Sequence, residues 1–246
     1  MLAEQLFGRR GDREFRWRGQ SVSRIEGLSD AVFALAFTLI IVTLEVPKTF
    51  AALLDVFRAV PAFTVCFASL ALCWWHHYRF HRRYGLEDGW TTLFNLAFLF
   101  VILLYVYPLR FLFDLLFAMV RVGPAAASEN VIAREQIPTL MIVYGIGFCA
   151  VFALLAALNA RAWQLRLELE LDSVERVLTK SALHGHLASV AIGVVSIAVV
   201  SFDRDLAGWA GMLYGLMGPV HGIHGVLTGR AVARYRGKLP GAPFAS

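Results

Sequence analysis

Arg24, Glu26, Ser29 and Asp30 lie within a single run of seven residues, and from there to Val46 the chain is apolar apart from Thr38, Thr43 and Glu45. An arginine, two carboxylates and a hydroxyl at this spacing can form ion pairs and hydrogen bonds, and they can also cap a helix. Acids near a helix N-terminus are favoured by the backbone dipole, and Ser29 or Asp30 can cap the first turn. Capping accounts for one acid. It does not account for an arginine six residues ahead of Asp30, nor for a carboxylate two residues inside an apolar block, where an unpaired charge is costly. Arg24, Ser29 and Asp30 therefore read as a polar network whose other members stand on neighbouring helices.

Candidate partners occur in CWWHHYRFHRRY, residues 73–84. Trp74 and Trp75 suit a membrane interface, His76 and His77 follow on adjacent faces, and Asn95 comes early in the next apolar block. His77 and Asn95 are the expected partners of the network. His184, His186, His221 and His224 raise a different chemistry, because histidines facing each other across a helix bundle can ligate haem. All seven histidines fall towards one side, however, whereas a two-haem protein needs ligands at two depths. Cys66, Cys73 and Cys149 sit inside apolar blocks, give no disulfide or metal-finger spacing, and read as packing residues. There is no Walker loop, no HExxH pair and no GxSxG elbow, so no enzyme is indicated. VYGIGF, residues 143–148, echoes a potassium-channel filter only superficially: it lacks the threonine, has another order and lies inside an apolar block.

These residues must be positioned by elements of one kind. Of the 246 residues, 58% are hydrophobic and 17% charged, with a mean hydropathy of +0.62. A soluble domain of this size has too little polar surface to solvate that content. The apolar residues come in blocks of membrane-spanning length, placed at about 28–46, 56–77, 91–113, 137–159, 183–202 and 206–228. The expectation is an all-α polytopic protein with six transmembrane helices in a single domain over 1–246, with a basic segment at 1–24, a tail at 230–246 and no potassium-channel filter of the ordinary kind. The segment 121–136 reads as a polar external loop. The charged 4/5 connection reads as an extension of its two helices, and the 5/6 connection near FDRD as a tight hairpin. Glycines 211, 215, 218, 222 and 225 form a small-residue stripe of the kind that lets helices approach closely in lipid. Residues 1–24 have no apolar core or cleavage site and are no secretory signal.

The net charge of +5 does not point to nucleic acid, because the cations form no single stripe. Arg9, Arg10, Arg13, Arg16, Arg18 and Arg24 precede or open the first span. Arg79, Arg82 and Arg83 follow the second, Arg161, Arg166, Arg176 and Lys180 lie in the 4/5 connection, and Arg230, Arg234, Arg236 and Lys238 in the tail. Only Lys48, Arg58, Arg110, Arg121, Arg134 and Arg204 fall on the opposite side. This bias places both termini in the cytoplasm.

On a helix, positions i, i+4, i+7 and i+11 share a face. From Ala31 that face carries Leu35, Thr38 and Val42, with Leu39 beside Thr38 and Glu45 one turn on. One reading is an ordinary lipid- or bundle-facing helix. The other is a pore helix: Leu35 and Val42 form hydrophobic constrictions, Thr38 hydrates ions between them, and Glu45 draws cations to the outer mouth. No internal repeat is present, so several copies of this stripe around one axis require several chains.

The stretch RIEGLSDAVFALAFTLIIVTLEVP, residues 24–47, resembles the opening motif of the bacterial branch of the transmembrane protein 175 family, the lysosomal potassium channels and their prokaryotic relatives. Arg24, Ser29 and Asp30 match its Arg-xxx-Phe-Ser-Asp pattern, with Leu28 in place of phenylalanine. Trp-x-His-His at the end of the second span, and a third span containing Asn95 and Pro108, are also similar to the family. The resemblance implies six helices per subunit, a homotetramer and a central pore lined by the first helix. It implies a constriction at Leu35, a threonine layer at Thr38 and further narrowing at Leu39 or Val42. It also implies that Arg24, Ser29 and Asp30 hold that helix, with His77 and Asn95 as the partners expected above. The implied function is passive, potassium-preferring cation flow through a bacterial inner membrane, with K+ as the permeant ion and no cofactor. The alternatives are a histidine-ligated haem redox protein and a secondary transporter; the latter normally shows inverted repeats and broken helices, of which the sequence gives no sign.

Overall fold

The computed structural model describes residues 15–42, 47–122 and 132–236, with no strand among them. Among these residues seven α-helices follow in order: α1 (Arg24–Val42), α2 (Phe50–Tyr84), α3 (Gly89–Val122), α4 (Ile137–Gln164), α5 (Ser173–Phe202), α6 (Ala207–Leu213) and α7 (Met217–Arg236). A 3-10 turn at Tyr214–Leu216 joins α6 to α7 where the hydropathy suggests one continuous span. Val143–Phe148 lies within the first half of α4.

Each long helix contains its expected span and extends past it, because hydropathy sees only the apolar part of a helix. α2 has 35 residues, or about 52 Å at 1.5 Å per residue, so it outruns a hydrocarbon core of about 30 Å. Its surplus carries His81, Arg82 and Arg83. α2 starts where the Thr49 hydroxyl accepts from Ala52 N at 3.1 Å and stops at Gly85, whose φ of 58° is the left-handed turn that favours glycine. α4 and α5 likewise run to Gln164 and from Ser173, so the charged connection is helical at both ends. Asp172 and Glu175 form a reciprocal capping box at the head of α5.

α1 starts differently from the expectation. Neither Ser29 nor Asp30 caps it. Glu26 N donates to Ser23 Oγ at 3.1 Å, and Ser23 N donates to Glu26 Oε2 at 3.0 Å. The S-x-x-E box at 23–26 begins the helix five residues before hydropathy turns apolar, which frees Ser29 and Asp30 for tertiary contacts.

The main core is built from α1, α3 and α4, with α2 and α5 against it; Phe33, Ala36, Ile40, Phe98, Ile102, Val106 and Leu155 are buried there. A second cluster around Phe15, Phe80, Tyr84, Leu158 and Leu171 packs at the opposite end from residue 40. The approach of residues 15–20 to that cluster is tight: a Cβ on Gly19 would stand 2.5 Å from the His81 carbonyl oxygen. In the glycine stripe Gly211 nears Met141, and among the described residues nothing lies within 4 Å of a Cβ built on Gly215, Gly218, Gly222 or Gly225.

Candidate functional site

α1 has two unlike faces. Ser29, Phe33, Ala36 and Ile40 recur at helical spacing, are almost completely buried, and pack on α2 and α3. Opposite them, Ala31, Leu35, Thr38 and Ile41 are exposed, with Leu35 at 51% and Ile41 at 53%. Leu39 falls between the two faces and rests against the core. The Thr38 hydroxyl donates to the Ala34 carbonyl at 2.8 Å, so its remaining lone pairs point along the exposed stripe. The Val42 side chain and Glu45 lie outside the described residues.

The buried face is fixed by a polar cluster at its first turns. Asn95 Nδ2 donates to Ser29 Oγ at 3.2 Å. His77 Nε2 stands 2.5 Å from Asn95 Oδ1 and must hold the proton there, because an amide oxygen only accepts. His81 Nε2 lies 3.1 Å from the same nitrogen, one helical turn along α2. All four side chains are buried. Ser29 also donates to the Ile25 carbonyl at 2.8 Å, so its hydroxyl is satisfied twice. Asp30 stands apart from this cluster and accepts from Trp74 Nε1 at 3.0 Å.

The structure thus brings Ser29, His77 and Asn95 together, places Asp30 on a second contact to α2, and leaves Arg24 exposed, outside the cluster. Glu26 takes the position nearest an arginine, with Arg82 Nε 3.8 Å from its carboxylate. His76 turns the other way and meets the His186 ring at a centroid distance of 5.0 Å. The sequence argument reached only adjacent faces for this pair, and a 3.6-residue period could not orient them without the partner helices.

Three further anchors escaped the sequence reading. Arg110 is buried; its Nη1 donates to the Ile40 carbonyl at 2.9 Å and its Nε to Asp114 Oδ2 at 2.8 Å. It therefore grips α1 near the far end from Ser29. Arg18 forms a two-pronged pair with Glu175, at 2.6 and 3.1 Å, and ties the residues before α1 to the head of α5. Burial alone would raise the Glu175 pKa. The Arg18 guanidinium and the backbone N–H groups of Arg16 and Asp172 outweigh it and hold the carboxyl below its ordinary value. Asp88, ahead of α3, accepts from Thr91 Oγ1 at 2.6 Å and from Arg161 Nε at 3.1 Å. Against the opposing effect of partial burial, these contacts lower its pKa too.

His221 and His224 are engaged with hydroxyls, and His184 is exposed. His221 Nε2 lies 2.9 Å from Ser189 Oγ, and His224 Nε2 2.9 Å from Ser181 Oγ. Among the described residues no three His, Cys, Asp or Glu side chains are grouped to hold a metal ion.

α1, anchored at both ends and bare on its outer face, opens the part of the chain that a known family matches. The family model described as "Endosomal/lysosomal potassium channel TMEM175" matches residues 24–105, which run from α1 into α3. A protein of Marivirga tractuosa named "Potassium channel" is 33% identical over 235 residues, covering 89% of this chain and 93% of that protein. The chain belongs to the TMEM175 family. Its fold matches the crystal structure of the potassium channel MtTMEM175, T38A variant, in complex with a nanobody–MBP fusion. The TM-score is 0.77 at 33% identity, covering 88% of this chain and 97% of that one. The fold is also similar, at a TM-score of 0.53 and 21% identity, to a lysosomal potassium-selective channel TMEM175 homolog from Chamaesiphon minutus, over 83% and 96% of the two chains. This TMEM175 chain is accordingly a membrane protein of a channel family and not an enzyme. Among the described residues four helices, α2 to α5, are long and apolar enough to cross a bilayer.

Proposed function

We propose that this TMEM175 chain is one subunit of a homotetrameric, potassium-preferring cation channel in a bacterial inner membrane, with α1 of each subunit lining a central pore. The observation that carries the proposal is the two-faced α1. The relatives of known name are potassium channels, and a bare stripe on an anchored helix is the surface that copies of this chain can converge on. Six spans arise when α1 and the α6–turn–α7 unit are counted with the four long helices. An even count keeps both termini in the cytoplasm, in line with the arginine distribution. The chain then forms a single membrane domain.

Leu35 narrows the pore, and Thr38, one turn outward, offers hydroxyl oxygens to a partly dehydrated ion. Val42 and Glu45 would continue the stripe to the outer mouth. Potassium holds its water less tightly than sodium, so a narrow apolar ring that strips part of the shell favours potassium. Without a ladder of backbone carbonyls the preference should be weak. No cofactor is required. Ser29, Asn95 and His77 at one end and Arg110 at the other are positioning residues that keep the stripe turned to the axis. Purified protein in liposomes with imposed K+ and Na+ gradients tests this reading. Leu35→Ala should raise flux and erode the K+/Na+ ratio, and an unchanged ratio would exclude Leu35 as the constriction.

A further inference from the structure

A cavity of about 570 Å³ opens between α2, α4, α5 and α7, on the far side of α2 from the polar cluster around Ser29. Its wall changes character along its length. Leu72 on α2, Phe152 on α4 and Met217 on α7 make one end apolar. Arg79 and Arg83 on α2, with Ser181 and Thr228, make the other end polar. Leu72 to Arg83, and Met217 to Thr228, each span eleven residues, so the wall runs about 16 Å along both helices. The two helices run in the same direction and change from apolar to polar together.

The charged groups at the polar end are cationic: Arg79 and Arg83 line it beside four histidines, and its described lining residues include no aspartate or glutamate. The Arg83 guanidinium is held over the Phe15 ring at 4.8 Å, which fixes its direction. A planar guanidinium presents paired N–H donors that match phosphate oxygens. The wall is roomy because α7 leans on α5, where Gly185 lets the His221 and His224 rings come within 3.7 Å of its would-be Cβ. On the side of the cavity, Gly218 and Gly225 present no side chain at all.

We propose that this cavity is a binding site for a phosphate-bearing anion supplied by membrane lipid, with the phosphate at Arg79 and Arg83 and an acyl chain along Leu72, Phe152 and Met217. The matched polarity gradient on two helices selects an amphiphile over a free ion. The site is separate from the exposed face of α1, and its test does not depend on ion conduction.

The test is lipid retention by the purified assembly in native mass spectrometry, after exchange into detergent with phosphatidylglycerol, with phosphatidylcholine, or with inorganic phosphate alone. The expected result is retention of phosphatidylglycerol over phosphatidylcholine. Arg79→Gln/Arg83→Gln should reduce that retention at least about tenfold, given the strength of charge-assisted hydrogen bonds. Gly225→Phe, which fills the cavity without touching either arginine, should reduce it as well, and Gly222→Phe, equally open but outside the lining, should not. Equal retention of the two lipids would overturn the proposal. So would retention unaffected by Gly225→Phe, or protection by inorganic phosphate with no lipid retained.

Discussion

Replacing Asn95 with alanine tests whether the buried cluster holds α1 in place. Asn95 is fully buried and joins three helices' worth of contacts: its amide donates to Ser29 on α1, and its carbonyl accepts from His77 on α2. Two hydrogen bonds are lost. Ser29 keeps its bond to the Ile25 carbonyl and His77 keeps its approach to His81, so neither group is left wholly unsatisfied. A net hydrogen bond contributes about 0.5–1.5 kcal/mol in water, and within membrane proteins the average is nearer 0.6 kcal/mol. The two bonds together with the small cavity give a loss of about 1.5–3 kcal/mol. For a chain of this size each kcal/mol shifts Tm by about 2–4 °C, so Asn95→Ala should melt about 3–12 °C lower in a detergent thermal-shift assay read by size exclusion. Ser29→Ala should be non-additive with it, since the pair shares a bond. Leu35→Ala should be additive with it, since Leu35 is on the opposite face. A loss under about 0.5 kcal/mol, or full additivity of Ser29 and Asn95, would refute the clamp.

Three other outcomes follow from the same contacts. Arg110→Met should destabilise the assembly by about 1–3 kcal/mol through its lost bonds to Ile40 and Asp114, and should lower flux more than Asp114→Asn does, since only Arg110 touches α1; liposome flux of the two variants decides it. Glu175→Gln should melt below the parent at pH 7, with the deficit shrinking in acid. A carboxyl held below its ordinary value stabilises fully above about pH 4.3 and loses that contribution as pH falls through the folded-state value; the deficit should hold from pH 7 to about 4.3 and shrink below it, and a deficit that already fades between pH 7 and 5, or never shrinks below about pH 4.3, would contradict the pairing with Arg18. Gly19→Ala should loosen the residues before α1, because the added Cβ meets the His81 carbonyl oxygen, and limited proteolysis near residue 19 should speed up.

The sequence made the long helices readable because each holds a long apolar run, and it placed α1 only to within a turn, because the run of apolar residues was visible and the cap at Ser23 ahead of it was not. What it could not show was direction. Ser29 and Asp30 look interchangeable in sequence, yet one turns to Asn95 and the other to Trp74. Arg24 looks like a network member and stands exposed, while Glu26, which the sequence argument left without a role, closes the capping box and faces Arg82. Arg110 reads as one of a few outer-side cations, and only the folded chain shows it reaching seventy residues back to Ile40. Such long-range pairings have no periodic trace. The short α6, the turn after it and the unpacked glycines of α7 were equally hidden, because hydropathy averages over a break that stays apolar.

The central claim is that the exposed stripe of α1 faces the conduction path. The most direct measurement places single cysteines at Leu35, Thr38 and Phe33 in a background lacking Cys66, Cys73 and Cys149, and follows K+ flux in liposomes on adding a charged, membrane-impermeant thiol reagent. Flux should fall for cysteines at positions 35 and 38 and stay unchanged at position 33, on the buried face. Full flux after modification at 35 and 38, or block only at 33, would contradict the account.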